Sequence, residues 1–271
     1  MGKIIFFDID GTIWNIKNEI PASTAEAISR LRANGHLVFI NSGRTRGFIR
    51  DPRLFRLGFN GIVSGCGTMI EYEPEGIISA EENDSNVIYY YSIDTGLAEY
   101  TINTVRKYGF RPILEGRKYL YMDDEEFAGE PYGDKLKREM GSNMLSINGH
   151  WNQWEISKLS CATDNSEREK CFSALSGYYS YMVHNSAVCE MVPNGFGKEK
   201  GILKLCTLLG VDPAETYAFG DGANDVAMLK AAGTGIAMGN GSDEAKMVSD
   251  YVTAPMEEDG IFTACQRLGL V

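Results

Sequence analysis

The chain has 271 residues, of which 44% are hydrophobic and 23% are charged. This composition is ordinary for a globular protein, and a chain of this length builds one large domain or two smaller ones without disulfide staples. The formal net charge is −11 at pH 7, so we expect no general binding of nucleic acid, which requires a basic surface. No apolar run approaches the roughly 20 residues that span a bilayer, and we expect no membrane partner.

The six cysteines form no CxxC pair, and none lies beside a histidine at metal-ligand spacing. We therefore expect buried, reduced thiols. No signal peptide is expected, since the first predicted strand begins at Lys3. Together these features predict a reducing, cytoplasmic compartment. The oligomeric state is not predicted.

Strand and helix alternate along the first part of the chain. The predicted elements are a strand over 3–9, a helix from Pro21 to about Ala33, a strand over 36–40, a helix near 45–50, a strand over 62–64 and a hairpin of 68–72 with 76–79. The order β-α-β predicts a parallel sheet with right-handed crossovers.

The pattern changes after about Glu82, where short strand-like runs alternate with helical stretches. The runs are 87–93 and 118–122, and the helical stretches are 96–107 and 166–175. The α/β pattern returns near Glu190, with a helix ending at Gly210, strands over 216–219, 235–238 and 251–252, and helices over 225–232 and 242–248. We therefore predict an α/β core formed by 1–82 and 188–271, split by an α+β insert over 83–187.

Two carboxylates, Asp8 and Asp10, follow the first apolar strand at positions i and i+2. Side chains repeat every two residues in a strand, so both point to one side of its carboxyl end, where open α/β sheets bind ligands. Such a pair can divide the work of a reaction, because one carboxylate attacks while the other moves a proton. Gly11 allows a sharp turn whose amides can donate to phosphoryl oxygens.

Three further segments carry polar groups suited to a phosphoryl group. Ser42 and Gly43 follow the second predicted strand, and a hydroxyl with helix-start amides can hold a phosphoryl oxygen. Lys198 follows a glycine-rich loop and can neutralise the attacking and transferring oxygens, with Lys200 as the alternative. Asn224 can donate an amide N–H to the same group.

Asp221 and Asp225 follow the strand over 216–219 and bracket the start of a helix. Asp8, Asp10 and Asp221 together would form a hard, oxygen-rich, anionic site, which prefers Mg²⁺. Asp225 would ligate through a water molecule or orient the other groups. Packed acids repel one another without a cation, so Mg²⁺ is the predicted cofactor.

The four segments stand in the order DIDGT, NSGR, PNGFGKEKG and GDGANDVAML. With them the chain resembles the haloacid dehalogenase superfamily, specifically the Cof-type phosphatases, which carry a large α/β cap between their second and third motifs. The C-terminal stretch over 235–261 is similar to that family as well. The resemblance implies a Rossmann-like parallel-sheet core with an inserted α+β cap domain that selects the substrate.

The resemblance also implies a role for each motif residue. Asp8 would be the nucleophile that becomes an aspartyl phosphate, and Asp10 would protonate the leaving oxygen and then activate water. Ser42, Gly43, Lys198 and Asn224 would hold the phosphoryl group. Asp8, the backbone carbonyl of Asp10 and Asp221 would bind Mg²⁺, with Asp225 in support.

The expected function is hydrolysis of a small phosphorylated metabolite, with a sugar phosphate as the favoured substrate. Two alternatives stay open. The first is a phosphosugar mutase resembling phosphomannomutase, and the second is a non-catalytic sensor of phosphorylated metabolites. Glu199 stands where the family usually has Gly, so the choice between Lys198 and Lys200 also stays open.

Overall fold

A computed structural model describes residues 2–74, 76–81, 83–129, 131–162, 167–183 and 188–271. The chain divides into two compact units: the first is 1–43, 51–90 and 197–271, and the second is 44–50 and 91–196. The predicted domain limits at Glu82 and Ala187, and the predicted helix start at Ser166, lie outside the described residues.

The strands and helices are numbered in chain order. The strands are β1 Ile4–Phe7, β2 Leu37–Asn41, β3 Gly61–Ser64, β4 Met69–Tyr72, β5 Val87–Tyr90, β6 Arg111–Gly116, β7 Leu120–Tyr121, β8 Met144–Leu145, β9 Ile156–Ala162, β10 Tyr179–Val183, β11 Val188–Pro193, β12 Thr216–Gly220, β13 Thr234–Ala237 and β14 Tyr251–Val252. The helices are α1 Ala22–Ala33, α2 Pro52–Arg56, α3 Thr95–Lys107, α4 Pro131–Met140, α5 Arg168–Leu175, α6 Lys198–Leu209, α7 Val226–Ala231, α8 Asp243–Val248 and α9 Gly260–Arg267.

The first unit contains an eight-stranded sheet in the order β14-β13-β12-β1-β2-β3-β4-β5. The strands from β14 to β3 are parallel, while β4 and β5 are antiparallel to their neighbours. Because β1 lies between β12 and β2, the carboxyl ends of these three strands meet at one edge of the sheet. This order brings the segments after Phe7, Asn41 and Gly220 to the same place, as expected for an open α/β sheet.

The parallel strands are apolar because both faces of the sheet are covered. All four residues of β1 are buried, and Phe7 stacks on Phe219 of the neighbouring strand with ring centroids 4.9 Å apart. Side chains of α6 and α7, including Ile202 and Met228, pack against Phe6 and Phe39 in one core cluster. Packing therefore holds the starts of α6 and α7 against the central strands.

The predicted hairpin of 68–72 with 76–79 is wrong. β4 pairs with β3 on one side and with β5 on the other, and residues 76–79 form no strand. Ile78 instead donates its backbone N–H to the carbonyl of Phe59 at 2.8 Å. The predicted helix near 45–50 is a single 3₁₀ turn, Arg46–Phe48, followed by the short helix α2.

The second unit contains a six-stranded sheet in the order β10-β11-β9-β6-β7-β8. Its pairs are antiparallel except for β7 with β8. Side chains from α3 and α5, such as Ile102 and Leu175, pack against this sheet and form one hydrophobic core with it. The α/β core with an α+β insert is thus confirmed as the fold class, although β5 joins the sheet of the first unit and β11 that of the second.

Among the residues that the structure describes, no helix combines the length and the apolar character that crossing a bilayer requires.

Candidate active site

A buried ion network lies at the carboxyl edge of the parallel sheet. The Lys198 Nζ atom lies 2.6 Å from Asp8 Oδ1 and 2.6 Å from Asp225 Oδ1. The three residues are only 3%, 4% and 0% exposed, respectively. One ammonium group therefore bridges two carboxylates out of contact with water, which makes each of these hydrogen bonds charge-assisted and strong.

Each member of the network is placed by a secondary-structure element. Asp8 follows β1, and its backbone N–H donates to the Phe219 carbonyl at 3.0 Å, which extends the pairing of β1 with β12. Lys198 is the first residue of α6. Its backbone carbonyl accepts a hydrogen bond from Asn41 Nδ2 at 3.0 Å, so the end of β2 also anchors the lysine.

Asp225 organises the loop after β12. Its Oδ2 atom accepts hydrogen bonds from the backbone N–H groups of Asp221 and Gly222, both at 3.0 Å. Gly220 makes room for this arrangement, because a Cβ atom there would lie 2.6 Å from the Asp225 Cβ. Asp225 thus contacts Lys198 with one carboxylate oxygen, and with the other it accepts the backbone hydrogen bonds that fix the loop.

Asp221 lies against the turn that follows Asp10. Thr12 Oγ1 donates to Asp221 Oδ1 at 3.4 Å, which is a long hydrogen bond. Gly11 has φ +84°, and a Cβ atom at this position would lie 2.2 Å from Asp221 Oδ2. Only glycine therefore fits here, both for its backbone conformation and for the close approach of the carboxylate.

The site carries more negative charge than its single ammonium balances. Burial, together with the charge of Asp225, raises the pKa of Asp8, although Lys198 acts in the opposite direction. Burial and Asp225 also raise the pKa of Asp221 to about 6. Burial lowers the pKa of Lys198, but Asp225 and Asp8 outweigh it, and the net shift is upward. Lys198 is therefore a permanent cation.

Three carboxylates could hold a metal ion at this edge. One oxygen each from Asp8, Asp221 and Asp225 lies within 4.8 Å of the other two. These hard oxygen donors fit a divalent cation such as Mg²⁺ or Ca²⁺, because such cations prefer carboxylates and water as ligands. The excess negative charge gives a physical reason for a cation to bind there.

The two candidate lysines differ in their surroundings. Lys198 is buried within the ion network, whereas Lys200 is exposed. The helical turn explains the difference, because residues two apart on a helix point in different directions.

The other predicted residues lie at the same sheet edge. Ser42 is buried directly after β2, where its backbone N–H donates to the Val63 carbonyl at 2.9 Å and its carbonyl accepts from Cys66 at 3.1 Å. Gly43 follows it, and Asn224 lies half-buried in the 3₁₀ turn before α7. Asp10 is exposed, and its Oδ1 atom accepts a hydrogen bond from Trp14 Nε1 at 2.9 Å.

Sequence reasoning missed three residues that support the site. Asn41 donates a hydrogen bond to the Lys198 carbonyl, and Asn240 Nδ2 donates one to the Gly11 carbonyl at 2.8 Å. Trp14 donates a hydrogen bond to the Asp10 carboxylate. For Trp14 a signal was available in the sequence, since it stands four residues after Asp10. Asn41 and Asn240 bond across long stretches of chain, so no local pattern marks them.

Comparison with known proteins gives a consistent result. A family profile of haloacid dehalogenase-like hydrolases matches residues 5–264. "Putative phosphatase YkrA" from Bacillus subtilis (strain 168) is 34% identical over 99% of this chain and 98% of its own length.

Solved structures agree with the sequence comparison. A hypothetical protein from Geobacillus kaustophilus HTA426 has a TM-score of 0.83 and 27% identity, with all of both chains covered. The HAD subclass IIB sugar phosphatase BT4131 has a TM-score of 0.78 and 26% identity over 99% of this chain and 100% of its own.

Replacing Lys198 with Met should destabilise the first unit strongly at neutral pH. The change leaves Asp8 and Asp225 buried without their counter-ion, and breaking a buried pair in this way costs about 3 to 5 kcal/mol. The loss should shrink as the pH falls, because protonation removes the charge of the uncompensated carboxylates. Urea unfolding of Lys198→Met at pH 8 and pH 5.5 measures both effects.

The exposed Lys200 supplies the matched control. Lys200→Met should change the free energy of unfolding by no more than about 0.5 kcal/mol, as is usual for surface substitutions. Equal losses in the two variants would contradict the buried network.

A divalent cation should raise the thermal stability of the protein, and the gain should grow with pH. The raised pKa values of Asp8 and Asp221 mean that folding takes up protons, so these carboxyls cost stability as the pH rises from about 4, the pKa of an unfolded aspartate, to the folded pKa of Asp221 at about 6 and above. A bound cation offsets that cost, and at 100 times its Kd it stabilises by about 2.7 kcal/mol. Thermal unfolding with MgCl₂ or with NaCl of equal ionic strength measures the gain; a gain that falls with pH would argue against the carboxylate site.

Proposed function

This chain belongs to the haloacid dehalogenase-like hydrolase family and is a phosphatase, and from that premise we propose that it is a Mg²⁺-dependent phosphomonoesterase acting on small phosphorylated metabolites. The predicted resemblance to the Cof-type phosphatases is confirmed. One observation carries the mechanistic part of the proposal: the buried Lys198 ammonium lies 2.6 Å from an oxygen of Asp8. This contact orients the Asp8 carboxylate at the sheet edge where the other predicted residues converge.

In the proposed first step, a carboxylate oxygen of Asp8 attacks the phosphorus atom and the bond to the leaving oxygen breaks. Asp10 gives its proton to that oxygen, so the leaving group departs as a neutral alcohol. In the second step, Asp10 takes a proton from water while the water oxygen attacks phosphorus. The bond between phosphorus and Asp8 then breaks, and inorganic phosphate is released with the Asp8 carboxylate restored.

The remaining site residues have supporting roles in this proposal. Lys198 spreads positive charge over the attacking carboxylate and the transferring oxygens, which matters most in a site shielded from water. Ser42, Gly43 and Asn224 donate hydrogen bonds to the phosphoryl oxygens.

The cofactor assignment is part of the proposal. Asp8 and Asp221 would hold Mg²⁺, together with the backbone carbonyl of Asp10 and with support from Asp225. When bound, Mg²⁺ supplies charge neutralisation at the phosphoryl oxygens. Its preference for oxygen ligands and retained water suits a site of a few carboxylates rather than a closed cage.

We assign the choice of substrate to the inserted second unit and favour a sugar phosphate as substrate. The preference for a sugar phosphate is supported by the similarity to a subclass IIB sugar phosphatase. A cytoplasmic location also belongs to the proposal. It is supported by six buried cysteines that are all free thiols, the form kept in reducing compartments.

Asp8→Asn should abolish turnover while leaving the fold intact. The amide lacks the nucleophilic carboxylate, and loss of a nucleophile lowers kcat by about 10⁴-fold or more. Release of inorganic phosphate from a panel of phosphorylated metabolites, ranked by kcat/KM with Mg²⁺ and with EDTA, measures the effect. Asp243→Asn, at an exposed carboxylate in the first turn of α8, is the matched control and should keep full activity.

Three results would contradict the proposal. Full activity of Asp8→Asn would exclude Asp8 as nucleophile. Formation of an isomeric sugar phosphate without release of phosphate would indicate a mutase. No Mg²⁺-dependent turnover by the unmodified chain on any phosphorylated metabolite would favour a sensor.

A further inference from the structure

Trp14 contacts the proposed acid–base residue directly. Its indole Nε1 donates a hydrogen bond to Asp10 Oδ1 at 2.9 Å. Trp14 is only 4% exposed, whereas Asp10 is exposed. A buried indole N–H needs an acceptor, and here the acceptor is a carboxylate at the reaction edge of the sheet.

The backbone fixes the indole relative to Asp10. The Ile9 carbonyl accepts hydrogen bonds from the backbone N–H groups of Ile13 at 3.0 Å and of Trp14 at 3.2 Å. In addition, the Gly11 N–H donates to the Trp14 carbonyl at 2.8 Å. The residue that holds the Asp10 carboxylate is therefore tied into the same tight turn, and this short turn sets the distance between the two side chains.

The surroundings of the turn also limit its movement. Ile9 and Ile13 are both fully buried, and Asn240 Nδ2 bonds the Gly11 carbonyl at 2.8 Å. The other end of Asn240 accepts the Met256 backbone N–H at 2.9 Å. The turn is thus anchored on the core side and on the side of the loop after β13, and Trp14 presents its N–H from a rigid base.

We infer that Trp14 is a positioning residue for Asp10 in the phosphatase reaction. The indole N–H holds Asp10 Oδ1 and so fixes the direction in which the Asp10 carboxyl group presents its proton. Asp10 gives this proton to the leaving oxygen as the bond from phosphorus to that oxygen breaks. It then takes a proton from the attacking water. The inference rests on the proposed function, because it takes Asp10 as the acid–base group.

The contact differs from that of a tryptophan with a purely structural bond. Trp154 in the second unit also donates its Nε1 hydrogen, but to the backbone carbonyl of Ile147 at 3.1 Å. A backbone carbonyl meets the need of a buried indole without involving any reactive group. Trp14 satisfies the same need through the side chain of Asp10, so removing its N–H affects the acid–base group rather than only the packing.

The test uses leaving groups that differ in their need for a proton. p-Nitrophenolate departs readily without one, whereas the alcohol of a sugar phosphate needs protonation as its bond breaks. Trp14→Phe keeps a buried aromatic ring and removes the N–H. We expect kcat/KM for the sugar phosphate to fall about 10- to 100-fold, which is up to the lower limit of the roughly 10²- to 10⁴-fold that acid–base catalysis contributes, because Asp10 itself is retained. For p-nitrophenyl phosphate we expect kcat/KM to fall by no more than about threefold.

Two controls separate positioning from structure. Trp154→Phe removes an indole hydrogen bond of similar length and should leave the ratio of the two kcat/KM values unchanged. In an Asp10→Ala background, Trp14→Phe should have no further effect on that ratio, because Trp14 acts on the reaction only through Asp10. The double-mutant cycle then measures a coupling energy between the two residues that accounts for the whole effect of Trp14→Phe. If Trp14→Phe folds poorly, β-(3-benzothienyl)alanine at position 14 keeps the bicyclic shape without the N–H and gives the same comparison.

The outcomes distinguish the inference from the function it rests on. The positioning role is overturned if the Trp14 variants lose kcat/KM equally for the two substrates, or lose it for neither. In that case, a loss in Asp10→Ala that is confined to the sugar phosphate still supports the acid–base role of Asp10. If Asp10→Ala itself leaves the ratio unchanged, the acid–base assignment is wrong and the inference is overturned with it. Loss of phosphate release in Asp8→Asn is independent of both results.

Discussion

The Lys198 ammonium between Asp8 and Asp225 is the interaction on which the site depends. It joins the end of β1, the start of α6 and the loop before α7, which are far apart in sequence. Burying these charges costs free energy that only their mutual pairing and added hydrogen bonds offset. Asp225 contributes such hydrogen bonds with its second oxygen. A buried network of this kind is weak evidence for net stability, and it is consistent with the reactive role proposed for Asp8.

The same network explains why a cation fits beside it. Asp8, Asp225 and Asp221 lie close together, and Lys198 balances only part of their charge. The pKa values of Asp8 and Asp221 are raised, first by burial and then by Asp225. The negative charge of the three carboxylates would be neutralised partly by Lys198, which stays protonated, and partly by a divalent cation that binds reversibly. In the proposed mechanism, the permanent charge of Lys198 would keep the Asp8 carboxylate oriented for attack, and the cation would bind where the remaining negative charge is concentrated.

Most of the site could be predicted because its residues follow strands whose order is fixed by the α/β pattern. Buried apolar strands such as β1 and β12 are plain in the sequence, and parallel strands bring their carboxyl ends together. The difference in burial between Lys198 and Lys200 depends on where α6 begins, and the sequence spacing of the two lysines does not reveal that position. Asn41 and Asn240 could not be found, since each bonds the backbone of a distant segment.

The strands of the insert are poorly marked in the sequence, and the reason is physical. Its strands β6 and β9 carry buried charges and β11 carries the half-buried Glu190, so they lack the apolar runs that mark a buried strand. Lys158 lies between Glu190 at 2.9 Å and Glu115 at 3.4 Å within this sheet. The false hairpin at 76–79 has a related cause: Ile77 and Ile78 have a high strand propensity locally, but β4 pairs with the more distant β5 instead.

The most direct test of the account is to identify the group that becomes phosphorylated during turnover. Protein mixed with its best substrate and Mg²⁺, quenched in acid within one turnover and digested at low pH, can be analysed by mass spectrometry. The account predicts a phosphoryl group on the peptide that contains Asp8, bound as an acyl phosphate that hydroxylamine removes. A phosphoryl group on another residue, or release of phosphate with no phosphorylated peptide, would contradict it.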